Sequence, residues 1–503
     1  MEKRNAIRED DRDVIREDQH DGGILTWILD APGSAVNLLD TAVVRALAAR
    51  LDEVEDRRED DSSVVAGIIL TSAKESFCAS ADLDAMAAAT AADAGAVYDL
   101  AVGLATQFRR LETLGVPVVA ALNGSALGGG LGLALATHHR IAVDEPGLRF
   151  GLPEVGFGLC PGAGGVLRTV RLLGVERSLD ELLLVGASCG TQDAIQRGIV
   201  DEAVDDAEEL LPAARQWILD HPDAVQPWDA AGYRVPEGRP GLPTGNGDHP
   251  LMAVLQFLPA RLRSRLDVLH NPAPRAILAT AVEGLQVDLD TAALVEARYH
   301  TQTVIDPVST AMIGLRHADR KAAGPQSMDA TTGAVPDAAT VVAAEGAPAE
   351  ASPADPRREG AGDAAPGSRR ADPETVRQMV GDLTDAAAAA ARELVASGMS
   401  EVSVGRVAEQ AGLSSVLFQA VAEAARIAVR EGQEKGGLPV DGKAQMRRTE
   451  PAQRRLLSAI AGAGRRYLAG SDPARAAALN IASVDGAGFP AWTGGIARWD
   501  ATG

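Results

Sequence analysis

The amino-acid sequence predicts an α/β fold with a mostly parallel sheet in its first half. Helical segments, a disordered linker and a small helical C-terminal domain follow. Three observations carry this reading. Strand-type apolar runs alternate with helix-period segments between residues 22 and 225, which implies crossover units rather than hairpins. A glycine-rich segment, residues 123–130, leads straight from an apolar run into an apolar helix. Residues 318–371 are rich in Ala, Pro, Gly and Asp and hold almost no large apolar residues, which separates residues 372–503 from the first half.

Each element has its own signal. Residues 1–21 read as a charged, solvated extension, because Lys3 to Asp18 mixes arginine with many acidic residues. Ile24 to Leu29 is a strand ending at the Pro32-Gly33 turn, and Asp40 to Val54 has helical periodicity. Val64 to Leu70 is a buried strand, and Val97 to Leu114 an amphipathic helix. Val116 to Leu122 is a second buried strand, followed by an apolar helix from about Leu131. The stretch from Trp217 to Pro250 is rich in Pro, Gly and Asp and reads as a loop or insertion. Residues 226–317 are expected to comprise this loop and a connection to the segment that follows. Residues 318–371 hold almost no large apolar side chains and cannot offset their own ordering entropy, so disorder is expected there.

Composition bounds the function classes. A chain of 503 residues implies roughly two to four domains. Its net charge of −22 argues against nonspecific nucleic-acid binding and against attraction to anionic membranes. Cys78, Cys160 and Cys189 show no metal-ligand spacing and imply no bridge, which fits a reducing cytosol. No apolar run reaches the roughly 18 residues a membrane span needs. The N-terminal residues have neither a signal core nor the acid-poor character of a transit peptide, so a cytoplasmic location is expected.

Two glycine-rich segments carry the chemistry. The first is Asn123-Gly124-Ser125-Ala126-Leu127-Gly128-Gly129-Gly130. Free backbone N–H groups and the positive end of a helix dipole meet at its glycines, a setting suited to an anionic oxygen. The second runs from Gly151 to Gly165 and places one carboxylate, Glu154, among glycines and apolar residues. An oxyanion site beside a desolvated carboxylate can move protons next to a carbonyl.

With a third segment, Phe77-Cys78-Ala79-Ser80-Ala81-Asp82-Leu83, these residues resemble the crotonase (enoyl-CoA hydratase/isomerase) superfamily in motif, order and spacing. The resemblance implies a crotonase-like spiral of ββα units, a homo-oligomer that is usually a trimer, and an acyl-CoA thioester as substrate. It implies that the backbone N–H groups of Ala81 and Gly129 polarise the thioester carbonyl and that Glu154 handles the proton. It places Ala79, Ala81, Asp82, Leu83, Leu127, Gly128, Gly129 and Pro153 at the substrate. A local basic patch for the CoA phosphates is expected but not located. No metal and no redox cofactor are implied.

Two departures alter the reading. Many hydratases of the family carry a second glutamate where this chain has Gly132. Hydration shares its work between two carboxylates, whereas a double-bond shift needs one base. The sequence therefore fits an enoyl-CoA isomerase, or a weak hydratase, better than a full hydratase. Ser80 stands where the family usually has glycine.

Further along, Asn271-Pro272-Ala273-Pro274-Arg275, Val295-Glu296-Ala297-Arg298-Tyr299 and Asp306-Pro307-Val308-Ser309 resemble the helical connection in the α-subunit of the fatty-acid β-oxidation multifunctional enzyme. The tail, Asp485 to Gly495, resembles the last motif of that subunit's hydroxyacyl-CoA dehydrogenase region. No dinucleotide-binding Gly-x-Gly-x-x-Gly segment lies between them, so neither NAD nor dehydrogenase activity is expected. A degenerate paralogue that lost its NAD domain is the favoured explanation; a replacement role for the tail, such as holding a thiolase-like partner, is the alternative.

Other features have simpler readings. Glu296 and Arg298 are expected at the surface. Asp82 is expected to cap a helix, His138 and His139 to serve a helix end or the core, and Cys160 to be a small core residue. Residues 402–419 resemble the helix-turn-helix of TetR-type repressors. The second helix, Ser414 to Glu423, carries no Arg or Lys for phosphates or bases, so two packed helices are favoured over a DNA-binding regulator. A non-catalytic acyl-CoA-binding scaffold subunit is the alternative to an enzyme.

Overall fold

The computed structural model describes residues 14–59, 65–79, 81–236, 270–319, 371, 373–397, 399–413, 415–434, 449–485 and 487–499. The chain divides into two units, Met1–Thr310 and Ala311–Gly503. Ser80 and most of the linker expected at 318–371 lie outside the described residues, as do residues 237–269.

The strands of the first unit, in chain order, are β1 (Ile15–Gln19), β2 (Ile24–Leu29), β3 (Gly67–Ser72), β4 (Val118–Leu122), β5 (Ala126–Leu127), β6 (His139–Val143), β7 (Phe150–Gly151), β8 (Ser188–Cys189) and β9 (Glu202–Val204). The main sheet has the order β1-β2-β3-β4-β6-β9, and a small sheet has the order β5-β7-β8. The β1–β2 pair is antiparallel and the other main-sheet pairs are parallel, with Trp27 opposite Leu70 and Ile68 opposite Val118. Every residue of β3 and β4 is buried. Continuous apolar runs are what a parallel strand covered on both faces requires.

The helices used below are α1 (Thr41–Glu59), α2 (Leu83–Ala88), α3 (Ala94–Glu112), α4 (Gly129–Leu135), α5 (Gly165–Leu173), α6 (Ala207–Asp220), α7 (Ala273–Gly284), α8 (Leu289–Val304) and α9 (Pro307–Ile313). The sequence pattern placed α1 well. Asp40 caps it, its Oδ1 accepting from the N–H groups of Ala42 at 2.8 Å and Val43 at 3.0 Å. Helix α3 buries Leu104, Phe108 and Leu111, one face of its amphipathic period.

Two boundaries differ from the sequence reading. The segment read as a solvated extension contains β1. Ile15 is fully buried, opposite Leu29, and its carbonyl accepts from Arg50 Nε at 3.0 Å and Nη2 at 2.8 Å. An edge strand needs apolar residues on one face only, and charged neighbours hide it in the sequence. The helices after residue 226 are also not a mere connection. Ala276, Ile277 and Ala281 of α7 and Leu285 just after it join the same hydrophobic core as the sheet, and α8 packs against α3 and α7.

The second unit is helical over its described residues: α10 (Pro373–Ala396), α11 (Glu401–Gln410), α12 (Ser415–Glu434), α13 (Thr449–Leu468) and α14 (Pro473–Asp485). Its core includes Leu383, Leu394, Val404, Leu417, Leu456 and Phe489. The pair resembling a helix-turn-helix, α11 and α12, turns Val404, Val407, Leu417 and Val421 into that core. The tail motif also packs inward: Phe489 is buried, and Trp492 Nε1 donates to the Ala411 carbonyl at 3.2 Å. No helix among the described residues is long and apolar enough to cross a membrane.

Candidate active site

The short strand β5 gathers the three sequence segments. It pairs with β7, setting Ala126 opposite Phe150 and Leu127 opposite Gly151. Gly128 N donates to Gly151 O at 2.8 Å. On the other side Ala126 bridges to Cys78, and Leu127 N donates to Cys78 O at 3.3 Å. A Cβ on Gly130 would sit 2.1 Å from the Cys78 carbonyl oxygen, so the approach of these chains requires glycine there. Gly128 then turns the chain into α4 with a φ of +55°, a region glycine enters freely.

The turn makes Gly129 the first residue of α4, with its N–H outside the helix's own hydrogen bonding. Asp82 caps α2 as expected, its Oδ1 accepting from Asp84 N at 2.9 Å and Ala85 N at 3.1 Å. That cap fixes the chain at Ala81. Among the described residues, neither the Ala81 nor the Gly129 N–H has an acceptor. Both residues line one cavity of about 330 Å³, together with Pro153, Glu154 and Leu83. Its walls are largely apolar, formed by side chains such as Met86, Leu100, Leu104, Phe157 and Val304.

Three residues expected at the substrate are not on this wall. Ala79 N donates to Asn37 O at 2.9 Å, while Leu127 and Gly128 spend their N–H groups on Cys78 and Gly151. Their backbones hold the segments together rather than line the cavity.

Glu154 sits in the first turn of a 3₁₀ segment, Pro153–Phe157, and is 6% exposed. Its Oε2 has no hydrogen-bond partner among the described residues. Burial pushes its carboxyl up to about 8; its own backbone N–H opposes the shift and the charge of Glu296 adds to it.

Glu296 is buried, not at the surface. At 1% exposed, it accepts from the N–H groups of Gly164 and, at 3.0 Å, Leu167, and so caps α5. Burial raises its carboxyl to about 7 against the opposing pull of these amides. Arg298 is exposed and lies over the Tyr299 ring at 5.0 Å.

One lining residue had no signal of its own in the sequence. His300, one helical turn after Glu296 on α8, also lines the cavity. Its Nδ1 lies 2.8 Å from the Cys160 carbonyl oxygen, 140 residues earlier in the chain. A carbonyl can only accept, so Nδ1 carries the hydrogen and Nε2 presents a lone pair. Burial holds the ring's pKa below the ordinary histidine value, partly offset by that hydrogen bond. The i, i+4 spacing of Glu296 and His300 places both on one face of α8. That spacing is the one sequence clue that these residues act together.

At Gly132, where the second carboxylate is missing, a side chain would be tightly packed. A Cβ there would lie 3.0 Å from the Ala163 carbonyl oxygen, in a fully buried position. The loop Pro161–Gly165 occupies that space, and Ala163 holds a φ of +54° in it. The histidines at the end of α4 are structural, as expected. His138 Nδ1 accepts from Val118 N at 2.9 Å, and its Nε2 meets Glu112 O at 3.1 Å. His139 stacks on Trp217. Cys160 is buried, with Sγ 3.6 Å from Thr280 Oγ1.

Known proteins resemble parts of this chain in sequence. Residues 20–226 match the enoyl-CoA hydratase/isomerase family. The chain is 36% identical over 221 residues to the fatty acid oxidation complex subunit alpha of Shewanella loihica, covering 44% of this chain and 30% of that protein. It is 32% identical over 295 residues to the same subunit of Shewanella amazonensis, covering 58% of this chain and 39% of that one. The match thus spans well under half of either relative. Among solved structures, an enoyl-CoA hydratase from Bacillus anthracis aligns at 27% identity and a TM-score of 0.37, over 58% of this chain and 91% of that one. Pseudomonas aeruginosa DspI aligns at 27% identity and a TM-score of 0.36, over 41% of this chain and 74% of that one. The segment from residue 20 to residue 226 thus resembles the enoyl-CoA hydratase/isomerase family and, within it, the fatty acid oxidation α-subunits.

Proposed function

We propose that the first unit is an enoyl-CoA isomerase with Glu154 as its single carboxylate base. The observation that carries this is Glu154 in the cavity together with a glycine, Gly132, which offers no side chain where a second carboxylate would be needed for hydration. The acyl chain lies along the apolar wall. The thioester oxygen accepts from the Ala81 and Gly129 amides, which are aimed where negative charge develops. Glu154 as carboxylate takes a proton from the α-carbon of a 3-enoyl thioester. The electron pair moves onto the thioester oxygen, and the resulting dienolate is held by the two amides. Glu154 returns the proton to the γ-carbon, and the double bond comes to lie between the α- and β-carbons.

This chemistry consumes no redox equivalent and calls on no metal or NAD. We infer that the protein works as a homo-oligomer, a trimer, which sedimentation of the purified chain tests. The test of function is turnover of purified protein with a trans-3-enoyl-CoA and a trans-2-enoyl-CoA, with chromatography of the products. Conversion of the 3-enoyl ester into the 2-enoyl ester supports the reading. Tight acyl-CoA binding with no turnover of either ester contradicts it and favours a scaffold.

A further inference from the structure

We propose that His300 is a second catalytic residue of this cavity: its Nε2 takes a proton from a water that adds to a 2-enoyl thioester, so the pocket also hydrates. The proposal rests on the acyl-CoA reading above and extends it to a second activity at the same site.

The geometry points to this residue in three ways. His300 and Glu154 line the same cavity, with the Ala81 and Gly129 amides. The ring is held in one tautomer by its Nδ1–H on the Cys160 carbonyl, which leaves Nε2 as an acceptor. The loop that closes off Gly132 is also the loop that seats the histidine. Ala163 O blocks the Gly132 side, and a Cβ on Gly162 would lie 3.0 Å from the imidazole. The chain has glycine where a carboxylate would stand and a nitrogen base against the same loop. Glu154 Oε2, buried without a partner, supplies the other half of an acid–base pair.

Burial pushes the two groups in useful directions. It holds His300 neutral and Glu154 protonated near neutral pH, a base and an acid in one pocket. The other carboxylates on the wall, Asp40 and Asp82, are engaged in capping α1 and α2. Glu296, four residues before His300, is committed to α5, and Cys160, whose carbonyl fixes the ring, has a thiol raised well above its ordinary value by burial.

The step balances. An O–H bond of water breaks, and its oxygen bonds to the β-carbon while Nε2 takes the proton. The electron pair of the carbon–carbon double bond moves through the α-carbon onto the thioester oxygen, held by the two amides. Protonated Glu154 then gives its proton to the α-carbon, and the thioester carbonyl re-forms. The imidazolium proton passes to the Glu154 carboxylate, and both groups return to their starting states.

The test measures hydration of a trans-2-enoyl-CoA and isomerisation of a trans-3-enoyl-CoA in the full chain and in His300→Gln and His300→Asn. Losing a general base costs about 10²–10⁴-fold, so the ratio of hydration to isomerisation should fall at least about 100-fold. An unchanged ratio, with both activities falling together or neither falling, overturns the proposal. So does a wild-type protein that isomerises but does not hydrate, which leaves the isomerase reading intact. Absence of both turnovers overturns both readings. Nitrogen NMR of histidine-labelled wild-type protein needs no variant to fold: the Nδ1–H tautomer at His300 is expected, and the Nε2–H tautomer overturns the assignment.

Discussion

Glu154 concentrates the chemistry at the residue scale, and its burial has a thermodynamic consequence. Its carboxyl sits near 4.5 in the unfolded chain and about 8 in the folded one. Between these values the folded protein binds more protons than the unfolded, so stability falls as pH rises through the window. Glu154→Gln removes that titration. The variant should therefore gain stability over the wild type progressively from about 4.5 upward, with the gain levelling off above about 8. Urea unfolding on the two sides of the window checks this; a pH-independent difference counts against a raised carboxyl. That Glu154, Ala81 and Gly129 meet at one cavity was legible, because the motifs name these three positions directly. His300 and Glu296 were not legible. Their partners, Cys160, Gly164 and Leu167, are far away in sequence, and charge spacing alone made Glu296 look like a surface group.

Elements show the same division. The buried strands β3 and β4 and the helices α1 and α3 were legible because hydrophobic period and capping residues fix them locally. β1 was not, since its single buried isoleucine lies among charges. The role of α8 was also hidden, because packing on α3 is a tertiary fact. That helix ties the site to the scaffold through Glu296, which holds the start of α5 and raises the carboxyl of Glu154 by its charge. Glu296→Gln removes the charge. The pH inflection of isomerisation should move to lower pH, and the fold should lose about 1–3 kcal/mol as buried amides lose a charged acceptor. An inflection that stays in place contradicts the coupling.

For the whole molecule, the first unit reaches Thr310, well beyond the family match that ends at 226. The cavity needs that extension, because His300 and Val304 form part of its wall. A chain ended at residue 225 should lose turnover and expose the apolar face of α3, whereas a chain ended at residue 319 should retain the site. Soluble expression and turnover of the two shortened chains decide this; equal activity from the shorter one contradicts the assignment of α8 to the site. The composition shift after residue 318 lies close to the division between the two units at Thr310. The extent of the first unit was not legible, because only the packed structure shows which helices close its core.

The most direct measurement is kcat/KM for a trans-3-enoyl-CoA across pH, in the wild type and in Glu154→Gln, with acyl-CoA binding measured alongside. Wild-type isomerisation should rise with pH to an inflection near 8, where burial places the Glu154 carboxyl. Glu154→Gln should bind the ester yet lose about 10²–10⁴-fold in turnover. Turnover that survives the substitution, or a wild-type profile with no inflection above the ordinary glutamate range, would contradict a single-carboxylate isomerase.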